Sequence, residues 1–325
     1  MSRIVLPAGA IATLFVSLMT VVTTPVQAQV LLARTYVSRT GNDDNNCGAT
    51  TPCRSFQGAH DKTETSGVIN CLNSSDFDNL TITKTITIDC GSVDGGMTLG
   101  GVTGITVNGS GIEVLIRGLE ISGNGQFGSG IRFLNGKSLI VEDCLLHQQL
   151  LGTSTGILFT PSLASRLTVI NSLIRRNGTI VDGANGGIVI MPTGVGYASV
   201  AIIDTEIIDN GTAAVLVDTS ASTGSSTNVS ITRSSLSNSQ YGVYVIAPAG
   251  AAGGSATISK SNITGNTSVG LLASGPHSAI RVTDSVISGN SRGVQSLGGT
   301  LVSYGDNTLA GNGVNGTFSG VAPLN

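Results

Sequence analysis

The sequence predicts an all-β protein: a solenoid of about eight turns in which successive turns of the chain build three parallel sheets. The first observation is a seven-residue motif that recurs every 22 to 33 residues from about residue 100 onwards. The second is that two further short segments accompany the motif, with apolar residues alternating at the period of a β-strand. The third is composition, since 45 of 325 residues are glycine and only 11% are charged, which is typical of a chain rich in turns.

The recurring motif begins at a turn position, carries Ile or Leu three residues later and mostly ends at Asn. Its copies are Gly118–Asn124, Asp143–Gln149, Asn171–Asn177, Asp204–Asn210, Arg233–Ser239, Lys260–Asn266, Asp284–Asn290 and Asp306–Asn312. A second column of segments starts at a small residue, as in Gly187 to Ile190, and a third precedes the motif, as in Val200 to Ile202. One triangle of strands cannot bury its own ends, so successive turns must stack about 4.8 Å apart. A leucine-rich repeat has a similar period, but these segments lack leucines at helical spacing.

The start of the chain predicts export. Residues 1–28 have the pattern of a signal peptide, with Arg3 ahead of an apolar run from Ile4 to Val22 and small residues up to Ala28. A membrane anchor would carry a charged stop-transfer cluster after the run, and none follows. We therefore expect cleavage after Ala28, no membrane span in the mature chain, and a secreted, periplasmic or cell-envelope location. Residues 29–100 are predicted to form an N-terminal cap and the first coils, and residues 101–325 the repeats with a C-terminal cap.

Cysteine usage fits an oxidising compartment. Cys47 and Cys53 bracket a turn-rich segment, while Cys71 and Cys90 end two strand-like segments, so we expect disulfides between 47 and 53 and between 71 and 90. Cys144 remains unpaired and falls in an inward column of small residues, which predicts burial rather than reactivity. No spacing typical of a zinc site occurs. The net charge of −3, with scattered Lys and Arg, offers no basic stripe for a nucleic acid.

The motif combination resembles the right-handed parallel β-helix superfamily of pectate-lyase-like proteins over essentially the whole mature chain. The segments Tyr36 to Ser38 and Pro52 to Ala59 look like the start of secreted members, a strand followed by a short capping helix. Ser55 is suited to be its N-cap, and the apolar face of that helix is expected to cover the first coil. The resemblance also implies a single-stranded β-helix with a hydrogen-bonded ladder of asparagines at one turn, here Asn124, Asn177, Asn210, Asn266, Asn290 and Asn312.

Lyases of this superfamily use clustered carboxylates and a basic residue on one sheet face, and the outward positions here do not stack carboxylates. The only local acidic group consists of Asp204, Glu206 and Asp209, which are the weak catalytic candidates. We interpret it as a solvated edge. The Asp column of Asp143, Asp204, Asp284 and Asp306 alternates with Asn, Arg and Lys in equivalent turns, which indicates turn residues rather than catalysts.

Asp43 and Asp44, within an Asn/Asp-rich run, are weak candidates for calcium, although the run lacks the glycine and distal glutamate of an EF-hand loop. No other cofactor is expected. Sequons at Asn177, Asn210 and Asn266 would be glycan acceptors only in a eukaryotic secretory pathway, and here the ladder explains the asparagines and turn geometry explains the glycines that follow the first two.

Three functions remain open on the sequence alone. The favoured one is a non-catalytic protein that binds carbohydrate or another protein through its loops, the longest being Thr160–Arg166, Gly178–Asn185, Pro192–Ser199, Asp218–Asn228 and Ala247–Ser255. The next is a structural rod that forms a homodimer through the apolar stripe Leu158, Val189, Leu216, Tyr244 and Leu272. The last is a polysaccharide lyase or glycoside hydrolase acting on acidic polysaccharide.

Overall fold

A computed structural model describes residues 1–2, 30–93, 95–180 and 183–323. The chain divides into Met1–Val30 and Leu31–Asn325, and the solenoid lies in the second unit. The predicted signal peptide falls almost entirely on residues outside the described part, so it stays a prediction. Within the described residues, no helix is long and apolar enough to cross a membrane.

Three parallel sheets form the solenoid, and each turn of the chain visits them in the order A, B, C. Sheet A comprises β1 (Leu32–Val37), β2 (Thr63–Cys71), β5 (Ile86–Asp89), β8 (Glu113–Arg117), β11 (Ser138–Glu142), β14 (Ala164–Ile170), β17 (Tyr197–Ile203), β20 (Thr227–Thr232), β23 (Gly254–Ser259), β26 (Ser278–Thr283), β29 (Thr300–Ser303) and β31 (Gly320–Val321). Sheet B comprises β3 (Ser75–Asp76), β6 (Gly95–Thr98), β9 (Leu119–Ser122), β12 (Leu145–His147), β15 (Leu173–Arg175), β18 (Glu206–Ile208), β21 (Ser235–Ser237), β24 (Asn262–Thr264), β27 (Val286–Ser288) and β30 (Thr308–Leu309). Sheet C comprises β4 (Leu80–Ile82), β7 (Ile105–Asn108), β10 (Phe127–Asn135), β13 (Leu151–Phe159), β16 (Gly186–Ile190), β19 (Ala213–Asp218), β22 (Tyr241–Ile246), β25 (Val269–Ser274) and β28 (Arg292–Leu297).

The predicted all-β parallel solenoid is confirmed, with about ten turns in the described residues rather than eight. The difference comes from the chain before the first copy of the motif at Gly118. Strands β2 to β4 and β5 to β7 already complete two turns there, but their segments do not contain the motif on which the count from sequence was based.

The core is a set of stacked side-chain rows, because parallel strands in register place equivalent residues directly above one another. In sheet C, one such row runs through Ile157, Ile188, Val215, Val243 and Leu271, all fully buried. Phe133 and Phe159 stack in the next row, with ring centroids 4.3 Å apart. Each β-branched or aliphatic side chain that leaves water in this way contributes about 1.5–3 kcal/mol.

The helix predicted near the N-terminus is present as α1 (Phe56–Lys62). The Ser55 hydroxyl accepts a hydrogen bond from the Gly58 N–H at 3.0 Å, which satisfies one of the free donors at the helix start. Phe56, Ala59 and His60 are buried on the face that packs against β1, β2 and β4. The helix therefore covers the first coil, as the sequence indicated.

Both expected disulfides are present, Cys47 with Cys53 and Cys71 with Cys90. Cys144 is a free, buried cysteine whose Sγ lies 3.2 Å from the Glu142 carbonyl oxygen. Burial raises the pKa of this thiol to about 12. The inward column assigned to it from sequence is confirmed by this position.

We expect Cys144 to resist alkylating reagents at pH 8 in the native protein, because the reactive thiolate is almost absent and the sulfur is enclosed. The same thiol should react stoichiometrically in denaturant, where its pKa returns to the ordinary range. Mass spectrometry of iodoacetamide-treated protein, native and unfolded, measures both states. Labelling within minutes in the native state would contradict the burial.

Candidate functional site

The acidic group singled out from sequence is divided between two corners of the solenoid. Asp204 and Glu206 line a shallow depression of about 310 Å³ together with Arg233 and Lys260, whereas Asp209 does not line it. Asp209 follows β18 at the next corner, where its φ is 55°. The structure thus brings two of the three carboxylates together, and it adds two cations.

Asp204 is engaged in an ion pair. Its two carboxylate oxygens each accept a hydrogen bond of 2.7 Å from the guanidinium of Arg233, which lies in the next turn of the solenoid. This bidentate hydrogen bond holds the pKa of Asp204 below its usual value. An ionised, paired carboxylate of this kind is a poor general acid at neutral pH.

The column containing Asp204 occupies the first position of two-residue corners between sheets A and B. Its members have left-handed backbone with φ between 44° and 54°, namely Asp143, Asn171, Asp204, Arg233, Lys260 and Asp284. Asn and Asp tolerate this conformation well because their short polar side chains bond locally. Asn171, for example, donates its side-chain amide to the Asp143 carboxylate at 2.6 Å. The chemistry of this column is that of a turn.

The asparagine ladder lies inside the corner between sheets B and C. Asn266 N–H donates to the Asn290 side-chain oxygen at 3.0 Å, and Asn290 N–H donates in the same way to Asn312 at 3.0 Å. Asn177 and Asn210 are joined by an equivalent bond of 3.1 Å. These buried side chains satisfy backbone donors that the corner leaves without partners. The three sequons at Asn177, Asn210 and Asn266 therefore begin at enclosed amides.

Asn124 is not part of this ladder, which corrects the expected column. Its side chain is exposed, and its φ of 49° places it at the outer corner position. In the next turn the inner position is taken by Gln149, whose backbone N–H donates to Asn177 Oδ1 at 3.4 Å. The sequence alignment assigned Asn124 by its spacing from the strand, but the corner there places Asn124 outside.

The calcium candidates Asp43 and Asp44 lie beside the N-terminus of α1. Asp43 accepts hydrogen bonds from the Arg54 and Ser55 N–H groups at 2.9 Å and from the Ser55 hydroxyl at 2.7 Å. Burial raises its pKa, and these hydrogen bonds, with the charge of Lys62, bring it below the usual value. Among the described residues, no group of three or more His, Cys, Asp or Glu side chains has the arrangement of a metal site.

A cleft of about 330 Å³ lies on the outer face of sheet C. Tyr241 and Tyr244 form its wall, with ring centroids 4.9 Å apart and ring planes inclined by 46°. Leu216 forms part of the apolar floor, and Asp218 and Gln240 supply polar groups. Its remaining lining residues are Gly183, Ala184, Thr212 and Ile246.

The two tyrosines face the same side because the strand is irregular at its start. Residues three apart in an ideal strand point to opposite faces. In β22, however, both Gly242 and Val243 are buried, which leaves Tyr241 and Tyr244 half-exposed on either side of them. A Cβ at position 242 would lie 2.6 Å from the Gly270 carbonyl oxygen, so a larger residue there would require the backbone to shift.

The electrostatics of the cleft disfavour negative charge. Burial raises the pKa of the Tyr244 hydroxyl, Tyr241 and Asp218 raise it further, and a hydrogen bond with Ser274 acts in the opposite direction. The Asp218 carboxylate accepts a hydrogen bond of 2.9 Å from the Ser220 N–H, which fixes it at the rim of the loop that follows β19.

Comparison with known families decides the relationship of this chain. The family model for the right-handed beta helix region matches residues 66–247, more than half of the sequence. The chain belongs to the right-handed β-helix family.

Two solved structures are similar to this β-helix protein. The pectate lyase Pel9A is 17% identical, with a TM-score of 0.52, and the likeness covers 84% of this chain and 75% of that one. A rhamnogalacturonan lyase is 10% identical, with a TM-score of 0.41 and coverages of 78% and 82%. At this identity, the first likeness shows the fold alone, and that agrees with the resemblance seen in the sequence. No curated protein matches the chain.

In this β-helix protein, the apolar stripe predicted on one sheet is largely covered by neighbouring side chains. Val189, Leu216 and Leu272 are exposed by only 0%, 3% and 4%. Ala184, Met191 and the two cleft tyrosines are among the side chains packed against the cluster that contains Val189 and Leu216. The stripe therefore offers a second copy of the chain less exposed apolar area than its outward position implied. Two of its members, Leu216 and Tyr244, line the cleft instead.

Sequence reasoning placed Tyr244 in the stripe but missed the cleft around it. Tyr241 and Gln240 precede the aligned segment that begins at Gly242, and Asp218 follows the segment of the turn before. The available signal was the pair of tyrosines flanking a Gly-Val step. An alternating pattern places residues three apart on opposite faces. It therefore cannot predict that both tyrosines point outward, which depends on the irregularity of the strand.

Proposed function

We propose that this β-helix protein acts outside the cytoplasm and binds carbohydrate, without cleaving it, in the sheet C cleft and the loops that border it. The observation that carries the proposal is the inclined pair Tyr241 and Tyr244, flanked by Asp218 and Gln240 in one concave site. Two disulfides fit the oxidising compartment. The fold likeness to a lyase named for pectate is consistent with a glycan ligand.

The shape and chemistry of the cleft match a saccharide. Its volume of about 330 Å³ is at the lower end of the range of about 300–1,000 Å³ found for small-molecule sites. Tyrosine rings present flat apolar faces that the C–H side of a pyranose can cover, and side-chain carboxylate and amide groups bond its hydroxyls. Because the ring planes are inclined to one another, they are suited to contact two sides of a ligand or two linked rings.

Replacing Tyr241 by alanine is expected to weaken binding to whichever polysaccharide the mature protein retains by at least tenfold, about 1.4 kcal/mol. The reason is loss of the stacking wall, so Tyr241→Phe should keep most of the affinity. Affinity electrophoresis against a polysaccharide panel, followed by isothermal titration calorimetry with the matching oligosaccharide, gives the measurement. Tyr304→Ala, which changes a tyrosine that does not line the cleft, is the control. Full binding by Tyr241→Ala, or no binding of any saccharide by the wild type, would refute the proposal.

A lyase activity is the second candidate, favoured by the fold likeness to Pel9A and by the meeting of Glu206 with Arg233 and Lys260 in one depression. Such a reaction needs a base and a cationic group that neutralises a uronate carboxylate. The depression contains both residue types, but the Arg233 guanidinium is already bound to Asp204.

We expect no release of unsaturated products from pectate or alginate, with or without calcium, because Asp204 holds the Arg233 guanidinium and Lys260 is the one other cation among the described residues that line this depression. Absorbance at 235 nm during prolonged incubation with each polymer would detect them. Turnover that copurifies with the protein and is lost in Glu206→Gln, with unchanged far-UV circular dichroism, would establish the lyase instead of the binding protein.

A further inference from the structure

The lining of the sheet C cleft carries an inference about its ligand that rests on the carbohydrate-binding function proposed above. Among the described residues that line it, Asp218 is the sole charged side chain. The others are apolar, aromatic, or uncharged polar groups, including Thr212 and Gln240. A site for an acidic sugar requires cations at hydrogen-bond distance from the carboxylate, as Arg and Lys supply elsewhere in proteins.

The nearest cations along the strands of sheet C do not line the cleft. Arg292 is in register with Tyr241 through Val269, two strands further along, which is about 9.5 Å at the usual strand spacing. Arg132 is three strands from Leu216 in the opposite direction, about 14 Å. Neither arginine is among the residues that line the cleft, whereas Asp218 is, so the charge that borders a ligand in the cleft is negative.

The pKa of Tyr244 indicates the same preference against negative charge in the cleft. The pKa of Tyr244 is raised by burial first, and then by Tyr241 and Asp218, so its ionised form is disfavoured at this position. Desolvation and the Asp218 charge act on any anion that enters the cleft, whether it belongs to the protein or to a ligand. A uronate carboxylate there would meet both penalties without a compensating partner.

A neutral sugar meets the opposite situation. Its hydroxyl groups can donate to the Asp218 carboxylate, and hydrogen bonds to an ionised acceptor are roughly twice as strong as neutral ones. Gln240 has both donor and acceptor groups for a neighbouring hydroxyl. We propose that the cleft selects uncharged saccharides and that Asp218 discriminates against uronates.

The test uses pairs of oligosaccharides that differ only in charge at C6: galacturonan hexamers with their methyl esters, and cellohexaose with its C6-carboxyl form. Titration calorimetry of the mature protein at low salt should give at least tenfold tighter binding for the uncharged member of a pair that binds. Asp218→Asn should narrow that ratio at least threefold, chiefly through tighter binding of the charged member. Asparagine keeps the acceptor for the Ser220 N–H, so the loop is expected to be preserved.

The matched control is Asp284→Asn, which makes the same charge change at a corner where asparagine also occurs, as at Asn171. This variant should leave the ratio unchanged, and 1 M salt should compress the ratio in the wild type. Equal or tighter binding of the charged member, or a ratio insensitive to Asp218→Asn, would overturn the charge selection while leaving the carbohydrate-binding function in place. If no member of any pair, and no polysaccharide of the wider panel, is bound, both the function and this inference fall.

Discussion

Replacing Phe133 by alanine is expected to lower the free energy of unfolding by about 3–5 kcal/mol. The Phe133 ring is fully buried and stacks on Phe159 in the next turn, with centroids 4.3 Å apart. Truncation removes this contact and leaves a cavity that two rigid neighbouring strands cannot close. Urea unfolding of the disulfide-bonded protein, followed by far-UV circular dichroism, measures the change.

The control for this variant lies in the same strand. Phe127 is the first residue of β10, the strand that also contains Phe133. The Phe127 side chain, however, is 60% exposed. Phe127→Ala should therefore change the free energy of unfolding by no more than about 0.5 kcal/mol. Similar losses for the two variants would mean that the interior and exterior faces of β10 are assigned incorrectly.

Replacing Asn290 by leucine is expected to lower the free energy of unfolding by at least about 1–3 kcal/mol, although the two side chains have the same number and branching of heavy atoms. The Asn290 oxygen accepts from the Asn266 N–H at 3.0 Å, and its amide donates to the Ile263 carbonyl oxygen at 2.9 Å. Leucine leaves the Asn266 N–H buried without a partner, at about 1–3 kcal/mol, and also removes one hydrogen bond from the Ile263 carbonyl oxygen. The same unfolding experiment measures the loss.

Two further substitutions separate the ladder from side-chain volume. Asn290→Ser should lose less, because Ser239 occupies the same column naturally and its hydroxyl accepts from the Asn210 N–H at 3.3 Å. Asn262→Leu makes the leucine change on the exposed face of β24 and should be nearly neutral. A mild effect of Asn290→Leu, comparable to that of Asn262→Leu, would show that water rather than the side chain satisfies these donors.

Most of the fold was predictable from the sequence because a solenoid repeats one local problem. Alternation along each strand assigns residues such as Val200 and Ile202 to the interior, and the period of the motif places them in rows. Local chemistry also predicted the capping helix, since Ser55 is a good N-cap and Phe56 heads its apolar face. The number of turns was less accessible, because the first two turns are formed by segments that the motif does not include.

The site was less predictable, because it depends on where neighbouring turns place groups that are distant in sequence. Asp204 and Glu206 are two residues apart in the sequence, but Arg233, which forms the ion pair with Asp204, belongs to the next turn. Tyr244 and Asp218 are likewise brought near one another by register between β19 and β22, in which Tyr244 lies opposite Leu216, two residues before Asp218. Each of these residues can be identified in the sequence. How far the loops shift one turn relative to the next cannot be predicted from it.

The sequence by itself thus determined the parallel coil, its helical cap, the two disulfides and the burial of Cys144, because each depends on periodicity or on short-range spacing. Only the tertiary structure decided that Asn124 leaves the ladder, that Asp209 is separated from Asp204, and that Tyr241 and Tyr244 enclose one cleft. The physical reason is that strand interiors repeat with a fixed period, whereas corners and loops vary in length and set the lateral position of each side chain.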